Sequence, residues 1–555
     1  MLKISPEEFA DIIQRHNQWK GGRENLNRFA PAHERPLVRV LADALLSQPQ
    51  PRHQVVIGPR QAGKSTVLRQ TIRSLLGEGV REERIFYVQM DAMKLRPETL
   101  ESVMSGIFEI TEPPTHDDPL FLLMDEITKT QAWGDAAKEF YDSKSPVRLL
   151  VTGSSPLDLY SGLNDTAPGR WLEHYLMPCN FYEYASWILG ESTLPRFTRT
   201  AYPSLQDRLA DISADIALDD RLYRLYDEFL VLSGYPDLVA SRPNSLLIHD
   251  QHSFSNQILR SQDALLLIAE RVVYKDIART EGIRDAPKLD ETLFSLAEMT
   301  RKEIGRDKLS KNLGINPNTL DSYIDAASRS LVAFCLKKHS GSAAGTSPRG
   351  RRVFFHDSGM SNAIRGTESS PIDDPDIRAD YLENAVAAGL KELALMERGR
   401  LSWWKDAKDN EVDFVYEKGH RILGFEITAS RNHHRKGLEA FVAAKEQAAG
   451  STYMVSPKAP IVKASVSPGG IGSMPVCVLL LAIGAQATQH MLRRGSEEPC
   501  DNYRVEAEQL KIYPRHAHET QQHTFKEGDI VYLTHKEAEP HLTAGTITKA
   551  EISAM

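Results

Sequence analysis

A glycine-rich loop between a short apolar run and a helical pattern constrains this chain more than any other feature. Residues 54–57 (QVVI) read as a buried β-strand and lead directly into GPRQAGKST at 58–66, which a helical pattern follows. This glycine spacing lets backbone N–H groups wrap around phosphates, with Lys64 placed to reach the β- and γ-phosphates and Ser65 to bind Mg²⁺. The pattern predicts a P-loop whose contact residues are Gly58, Pro59, Arg60, Gln61, Ala62, Gly63, Lys64, Ser65 and Thr66.

A second apolar run, LFLLMDEI at 120–127, ends in two acids. In an open parallel sheet, ligands bind at the carboxyl ends of the strands. Asp125 is therefore expected to hold Mg²⁺ and Glu126 to polarise an attacking water.

Two further runs complete a predicted sheet. VRLLVTGSS at 147–155 and RIFYVQMD at 84–91 read as strands separated from the others by helical segments. Alternation of this kind predicts a doubly wound α/β domain over 35–190. The hydroxyls at the end of the first run are expected either to sense the γ-phosphate or to form an ordinary strand exit; the candidates are Thr152, Ser154 and Ser155.

Taken together, the motifs resemble those of bacterial and archaeal AAA-type ATPases that carry a conserved C-terminal region of unknown function. The resemblance rests on GPRQAGKST, FLLMDEI, LLVTGSSPLDL, GRWLEHYLMPCNFYEY and LSGYPDLV, and it covers most of 35–460. It implies ATP and Mg²⁺ as cofactors and matches Gly169 and Arg170 to the family's Gly-Arg pair. Arg170 is then expected to be an arginine finger, supplied in cis or by a neighbouring subunit of a homo-oligomer. The alternative is an arginine bound to a surface carboxylate.

A local excess of positive charge follows the helical middle of the chain. Residues 305–336 read as two helices around a glycine-containing turn, and two β-rich runs joined by SGSAAGTSPRG follow them as the wing of a winged helix. From Arg301 to Arg352 there are eleven Lys or Arg against four Asp or Glu, within a chain of net charge −8. This concentration favours phosphate contacts with DNA, although winged helices also bind proteins. The predicted DNA contacts are Lys308, Lys311, Asn316, Asn318, Thr319, Arg349, Arg351 and Arg352.

The next region predicts a helix and three consecutive strands, which is the core of the restriction-endonuclease-like fold. Glu383 on the helix and Asp413 and Glu426 on the strands are expected to form an oxygen-rich second Mg²⁺ site. The family pattern places a lysine two residues after the second acid, but this chain has Thr428 there. The nearby cations Arg431, Arg435 and Lys436 are candidates to replace it. The sequence therefore favours a retained fold used for binding or assembly over an active nuclease.

Composition sets wider bounds on the class of protein. Apolar residues make up 41% and charged residues 26%, as in ordinary soluble proteins, and the four cysteines form no CxxC motif. These features and a polar N-terminus favour the cytoplasm and exclude a disulfide scaffold. The apolar run VCVLLLAIGA at 476–485 is too short to span a bilayer and is predicted to be a buried strand.

The predicted domains form an α/β chain with a small β-rich end. They are an N-terminal helical extension (1–34), the AAA-type ATPase domain (35–190), a helical lid (191–295), a winged helix (296–370), a nuclease-like α/β domain (371–485) and a β-rich domain (486–555). The favoured hypothesis is an ATPase that couples nucleotide state to the winged helix and nuclease-like domain and acts on DNA. The alternatives are an ATP-dependent DNA nuclease and a nucleotide-gated protein scaffold.

Overall fold

The computed structural model describes most of the chain in two compact units. The described residues are 3–47, 52–130, 132–153, 170–213, 220–242, 251–280, 282–339, 350–366, 375–429 and 435–495, with isolated positions between 156 and 218 and short strands between 500 and 549. The first unit comprises Met1–Leu176 with Met491–Met555, and the second unit is Met177–His490.

A parallel sheet of five strands forms the centre of the first unit; four of the strands were predicted from the sequence, and β5 was not. Its spatial order is β2-β3-β4-β1-β5, and every neighbouring pair is parallel. Strands β1, β3 and β4 are buried along their whole length because helices cover both faces of a parallel sheet. The strands are β1 His53–Ile57, β2 Ile85–Gln89, β3 Leu120–Asp125, β4 Val147–Thr152 and β5 Trp171–Tyr175. The helices are α1 Pro6–His16, α2 Arg23–Phe29, α3 Leu37–Leu46, α4 Lys64–Gly77, α5 Leu100–Ile110 and α6 Trp133–Asp142.

The second unit begins with a helical region. Its first helix opens with a capping box in which Asn180 and Glu183 satisfy each other's backbone N–H groups. The helices are α7 Phe181–Leu189, α8 Arg196–Arg199, α9 Leu205–Asp211, α10 Asp220–Val231, α11 Pro236–Ala240, α12 Gln251–Arg271, α13 Ala278–Thr280 and α14 Ala286–Glu298. A π-helical segment, Val272–Ile277, joins α12 to α13.

The predicted helix pair and the hairpin after it are both present. Helix α15 (Arg306–Leu313) ends at Gly314, whose φ of +66° suits glycine, and α16 (Pro317–Arg329) follows with Asn316 as its N-cap. Strands β6 (Ala333–Lys338) and β7 (Arg351–Phe355) then pair antiparallel. The predicted hairpin tip lies outside the described residues, apart from Gly350.

A seven-stranded mixed sheet continues this hairpin into the predicted nuclease-like region. Its order is β12-β11-β10-β9-β8-β6-β7, with β6 parallel to β8 and β8, β9 and β10 antiparallel as a meander. The strands are β8 Arg400–Lys405, β9 Glu411–Lys418, β10 Arg421–Ile427, β11 Thr452–Ser456 and β12 Ile471–Pro475. The accompanying helices are α17 Ser358–Arg365, α18 Pro375–Glu397 and α19 Lys436–Ala444. One sheet therefore includes strands from both the predicted winged helix and the predicted nuclease-like domain.

The prediction of a strand at 476–485 is wrong, because this run opens helix α20 (Val476–Gly495). Residues 476–485 are buried on every side, so the run lacks the apolar-polar period that identifies a surface helix. Within the described residues, the stretch Val476–Arg493 is long and apolar enough to cross a membrane, and 72% of it is buried inside the fold.

The C-terminal segment contains the short strands that the sequence predicts. Strand β13 pairs antiparallel with both β16 and β17, and β14 pairs antiparallel with β15. The strands are β13 Cys500–Val505, β14 Gln509–Ile512, β15 His523–Lys526, β16 Ile530–Thr534 and β17 Ile547–Lys549.

Candidate nucleotide-binding site

The loop between β1 and α4 has the backbone shape that its glycines allow. Gly63 has φ +93° and Gln61 has φ +62°, so the chain turns through the left-handed region just before the helix begins. A methyl group on Gly58 would lie 2.1 Å from the carbonyl oxygen of Leu176, so no larger residue fits there. The predicted contact residues 58–66 therefore form one continuous loop and the first turn of α4.

Lys64 lies inside this loop and holds it closed. Its Nζ donates to the carbonyl oxygens of Gly58 at 2.8 Å and Pro59 at 2.7 Å, and the residue is only 7% exposed. Ser65 and Thr66 follow it in the first turn and are half-buried, while Gln61 is exposed. The Lys64 ammonium thus lies over the loop, where the phosphates of a nucleotide would bind.

Asp125 is fixed at the end of β3 by two hydroxyl groups. Thr152 donates to one carboxylate oxygen at 2.5 Å and Tyr87 donates to the other at 2.8 Å. Burial, followed by the nearby Asp125 charge, raises the pKa of Tyr87 above its usual range, so its hydroxyl stays protonated as a donor. Thr152, a predicted phosphate sensor, therefore contacts the acid directly, whereas the other two candidates, Ser154 and Ser155, lie outside the described residues.

Sequence reasoning missed Tyr87. The residue lies on β2, whose pairing with β3 places Gln89 beside Asp125. The signal that would have identified it is a tyrosine close to the end of one strand when the neighbouring strand ends in an acid. Here Tyr87 lies two residues before the end of β2, and β3 ends at Asp125.

Glu126 adopts a backbone conformation that is unusual for its residue type. Its φ is +58°, and it leads from β3 into the short 3₁₀ helix Ile127–Lys129. Non-glycine residues in this region cluster at functional sites, where the surrounding structure enforces the strain. The half-buried side chain follows Asp125 at the carboxyl end of the sheet, as the sequence predicted.

Arg170 lies at the opposite end of the sheet from the P-loop. Its carbonyl oxygen accepts a hydrogen bond from His53 N, the first residue of β1, whereas the P-loop follows Ile57, the last residue. The guanidinium makes two hydrogen bonds to Asp142, at 2.7 and 3.0 Å, and these lower the pKa of that carboxyl. The parallel strands therefore place Arg170 far from the P-loop of its own chain, which argues against the predicted cis role. Gly169, the other half of the predicted pair, lies outside the described residues.

The predicted DNA contacts divide into an exposed set and an internally paired set. Lys308, Lys311 and Asn316 are exposed on α15 and at the start of α16, and Thr319 is half-buried. Asn318 is also exposed but accepts a hydrogen bond from Arg306 at 2.7 Å. Arg349 lies outside the described residues.

The two arginines at the start of β7 correct the predicted wing tip. Arg351 is bound to Asp321 of α16 at 3.1 Å, which fastens the hairpin to the helix pair. Arg352 is only 9% exposed, pairs with Glu411, and stacks 4.2 Å from the ring centroid of Trp403. Successive strand residues point to opposite faces, so these two side chains cannot line one surface together.

Two of the three predicted metal ligands, Glu383 and Asp413, lie beside arginines. Glu383 is 3.2 Å from Arg301, and Asp413 is 3.7 Å from Arg352. Burial raises the pKa of Glu383 to about 7 despite both arginines, and burial together with Glu426 and Glu383 raises the pKa of Asp413 well above its usual range. In the part of the chain that the structure describes, no group of three or more His, Cys, Asp or Glu side chains is arranged to hold a metal ion.

The residues proposed to replace the family's lysine lie at the surface or outside the described residues, whereas Thr428 itself is buried. Thr428 is 8% exposed and its backbone N–H donates to Val455 O at 2.9 Å. Arg435 and Lys436 are exposed at the start of α19, and Arg431 lies outside the described residues. The cations near the acids are instead Arg301 and Arg352.

Comparison with known proteins identifies three regions of the chain. Residues 50–185 match the family model of an AAA domain, and residues 223–371 and 379–465 match two different domains of unknown function. An uncharacterized protein of Haemophilus influenzae is 22% identical over 380 residues, which cover 67% of this chain and 82% of the relative.

Two further similarities are more partial. An uncharacterized protein of Methanocaldococcus jannaschii is 23% identical over 287 residues, which cover 50% of this chain and 55% of that relative, so the match spans about half of its length. Among solved structures, the ORC2 protein of Aeropyrum pernix in its ADPNP–ADP complexes is 14% identical with a TM-score of 0.34, over 62% of this chain and 92% of that one. The chain thus carries a P-loop domain of the AAA type, followed by two regions that match domains of unknown function.

Proposed function

We propose that the first unit binds ATP with Mg²⁺ and hydrolyses it. The observation that carries this proposal is Asp125, which two hydroxyls fix at the same sheet edge as the P-loop. When phosphates enter, the Lys64 ammonium exchanges its two carbonyl partners for phosphate oxygens, which bind a cation more strongly. Glu126 then accepts a proton from, or orients, the water that attacks the γ-phosphorus.

The side chains present fit a magnesium ion. Each carboxylate oxygen has two lone pairs, so Asp125 can accept both hydroxyl hydrogen bonds and still bind the ion or its water. Ser65 supplies a second oxygen from the first turn of α4. Bound there, Mg²⁺ would neutralise charge on the phosphates and hold them in line for attack.

We further propose that Arg170 completes the site of a neighbouring copy. Its own P-loop follows the far end of β1, about 13 Å away for four residues of strand. The ion pair with Asp142 is exposed to solvent, and such pairs stabilise a fold little, so Arg170 can leave it when a neighbour's nucleotide is near.

Two substitutions separate binding from hydrolysis. Lys64→Ala should abolish binding of a fluorescent ATP analogue, whereas Glu126→Gln should bind the analogue normally and release no phosphate. Lys138→Ala and Glu139→Gln on α6 are matched controls that should leave both measurements unchanged. Normal phosphate release by Glu126→Gln would show that the water-positioning role is wrong.

The second unit is proposed to bind DNA through the helix pair α15 and α16. The observation that favours this function is the exposed pair Lys308 and Lys311, one helical turn apart, beside the polar start of α16. Phosphate contacts by lysines make affinity fall steeply with salt. In this proposal, nucleotide state in the first unit changes the DNA affinity of the second.

A fluorescence anisotropy titration with duplex DNA tests this proposal. The double variant Lys308→Glu and Lys311→Glu should lower affinity and reduce the salt slope by about 1.8, since each phosphate contact contributes about 0.9. Lys458→Glu, an exposed lysine elsewhere in the unit, is the control. Absence of DNA binding by the unaltered protein at low salt would favour the protein scaffold instead.

A further inference from the structure

The strongest unexplained feature of the second unit is a group of two buried and two half-buried carboxylates that lies against two arginines. The acid cluster consists of Glu383 on α18, Glu411 and Asp413 on β9, and Glu426 on β10. Glu383 is 5% exposed and Asp413 is 8% exposed, so water solvates and screens neither carboxylate well. Carboxylates in such positions repel each other and require a cation or a proton.

Arg352 provides that cation from β7. Its guanidinium pairs with Glu411, lies 3.7 Å from Asp413, and stacks on Trp403, which fixes the plane of the guanidinium. The same residue is only 9% exposed, so its charge is directed inward rather than toward solvent.

Arg301 contacts the same group of acids from the segment between α14 and α15, which lies beside β7. Its N–H donates to Val353 O of β7 at 3.0 Å, and its side chain pairs with Asp380 and Glu383. Its φ of +64° is rare for a residue with a side chain, so the surrounding structure holds it in place. Both arginines are thus carried by the outer edge of the sheet, at β7 and the segment beside it.

We propose that Arg352 occupies the place of a divalent cation, so that the acid cluster is an internal ion network that binds neither Mg²⁺ nor Mn²⁺. The network joins the β6–β7 hairpin to β9, because the cation lies on one and the acids on the other. The cluster is therefore closed to the metal chemistry that its four carboxylates would otherwise favour, independently of the missing lysine at Thr428.

Metal binding to nucleotide-free protein tests the proposal directly. Thermal unfolding of the unaltered protein should not change with added Mn²⁺. Arg352→Met leaves the acids without their cation, so Mn²⁺ should raise its Tm by about 5 °C at a concentration about 100-fold above its Kd. Adding Asp413→Asn to that variant should abolish the rise, which places the bound ion at the cluster.

Matched variants keep the test decisive. Arg351→Met removes the neighbouring arginine on the other face of β7 and should remain insensitive to Mn²⁺. If Arg352→Met does not fold, Arg352→Gln retains hydrogen-bond donors without the charge and should show the same gain. Binding of Mn²⁺ by the unaltered protein that Asp413→Asn removes would overturn the proposal, as would a folded, Mn²⁺-insensitive Arg352→Met or Arg352→Gln.

Discussion

Two variants that are each inactive should restore ATP turnover to one another if Arg170 acts across an interface. Lys64→Ala removes nucleotide binding but keeps Arg170, and Arg170→Ala keeps the P-loop but lacks the arginine. The hydrogen bond from His53 N to Arg170 O, 2.9 Å long, fixes Arg170 level with the start of β1. The loop begins after Ile57, about 13 Å further along the strand, which exceeds the reach of an arginine side chain.

The expected recovery can be calculated without knowing the number of subunits. An arginine finger contributes roughly 10³-fold or more to turnover, so each variant alone should be almost inactive. In an equimolar random assembly, a site works only when its own P-loop is intact and its neighbour supplies Arg170. Each condition holds for half of the subunits, so about a quarter of normal turnover should return, whatever the ring size.

The assay is phosphate release from the whole population of complexes of the two co-expressed variants, and a second sample purified through both of their different tags shows that mixed complexes form. Co-expressing Arg170→Ala with the double variant Lys64→Ala, Arg170→Ala provides the negative control and should give no recovery. Asp142→Ala should keep its activity, because it only frees Arg170 from its internal partner. The reasoning fails if doubly tagged complexes show no recovery, or if Arg170→Ala alone hydrolyses ATP at the normal rate.

Three further substitutions test other parts of the fold. Thr152→Val removes a donor to Asp125 and should weaken Mg²⁺–ATP binding and lower the free energy of unfolding by about 1–3 kcal/mol in urea titrations. Gly359→Ala places a methyl group 1.8 Å from Leu232 O and should destabilise the second unit by about 1–3 kcal/mol or more. Burial raises the pKa of Glu383 to about 7, so the folded protein should lose stability as pH rises from the ordinary pKa of a glutamate through 7, and Glu383→Gln should be more stable than the unaltered protein at pH 8.

Controls for these variants are available in the same chain. Thr152→Ser retains the hydroxyl and should bind Mg²⁺–ATP normally. Gly305 has open space around its Cβ position apart from a side-chain carbon at 3.7 Å, so Gly305→Ala should unfold at the usual urea concentration. The Glu383→Gln difference should disappear below pH 4.5, and a difference that persists there would contradict the pKa assignment.

The sequence predicted four strands of the parallel sheet in the first unit because their signals are local. Glycines at 58 and 63, a lysine beside the second of them and an acid after five apolar residues each specify a strand end or a loop within a few positions. The contact between Tyr87 and Asp125 was missed because it depends on which strands are neighbours. That pairing is set by the topology of the whole sheet.

The predictions that failed share a physical cause. Charge count alone placed Arg351 and Arg352 at a wing tip, but strand alternation sends one toward Asp321 and the other into the acid cluster. Similarly, 476–485 has no polar residues to show a helical period, so its length suggested a strand. Side-chain direction and burial on all sides are properties of the assembled fold, which composition does not contain.

The seven-stranded sheet has a consequence for how this chain can be divided or inherited. The two family matches meet between 371 and 379, yet β6 on one side of that point pairs with β8 on the other through Lys337–Ser402 and Lys338–Trp403. Fragments separated there would each expose an unpaired strand edge, which favours aggregation. Recombination between relatives at this boundary would exchange part of a sheet, so the two regions are expected to be inherited together as one module.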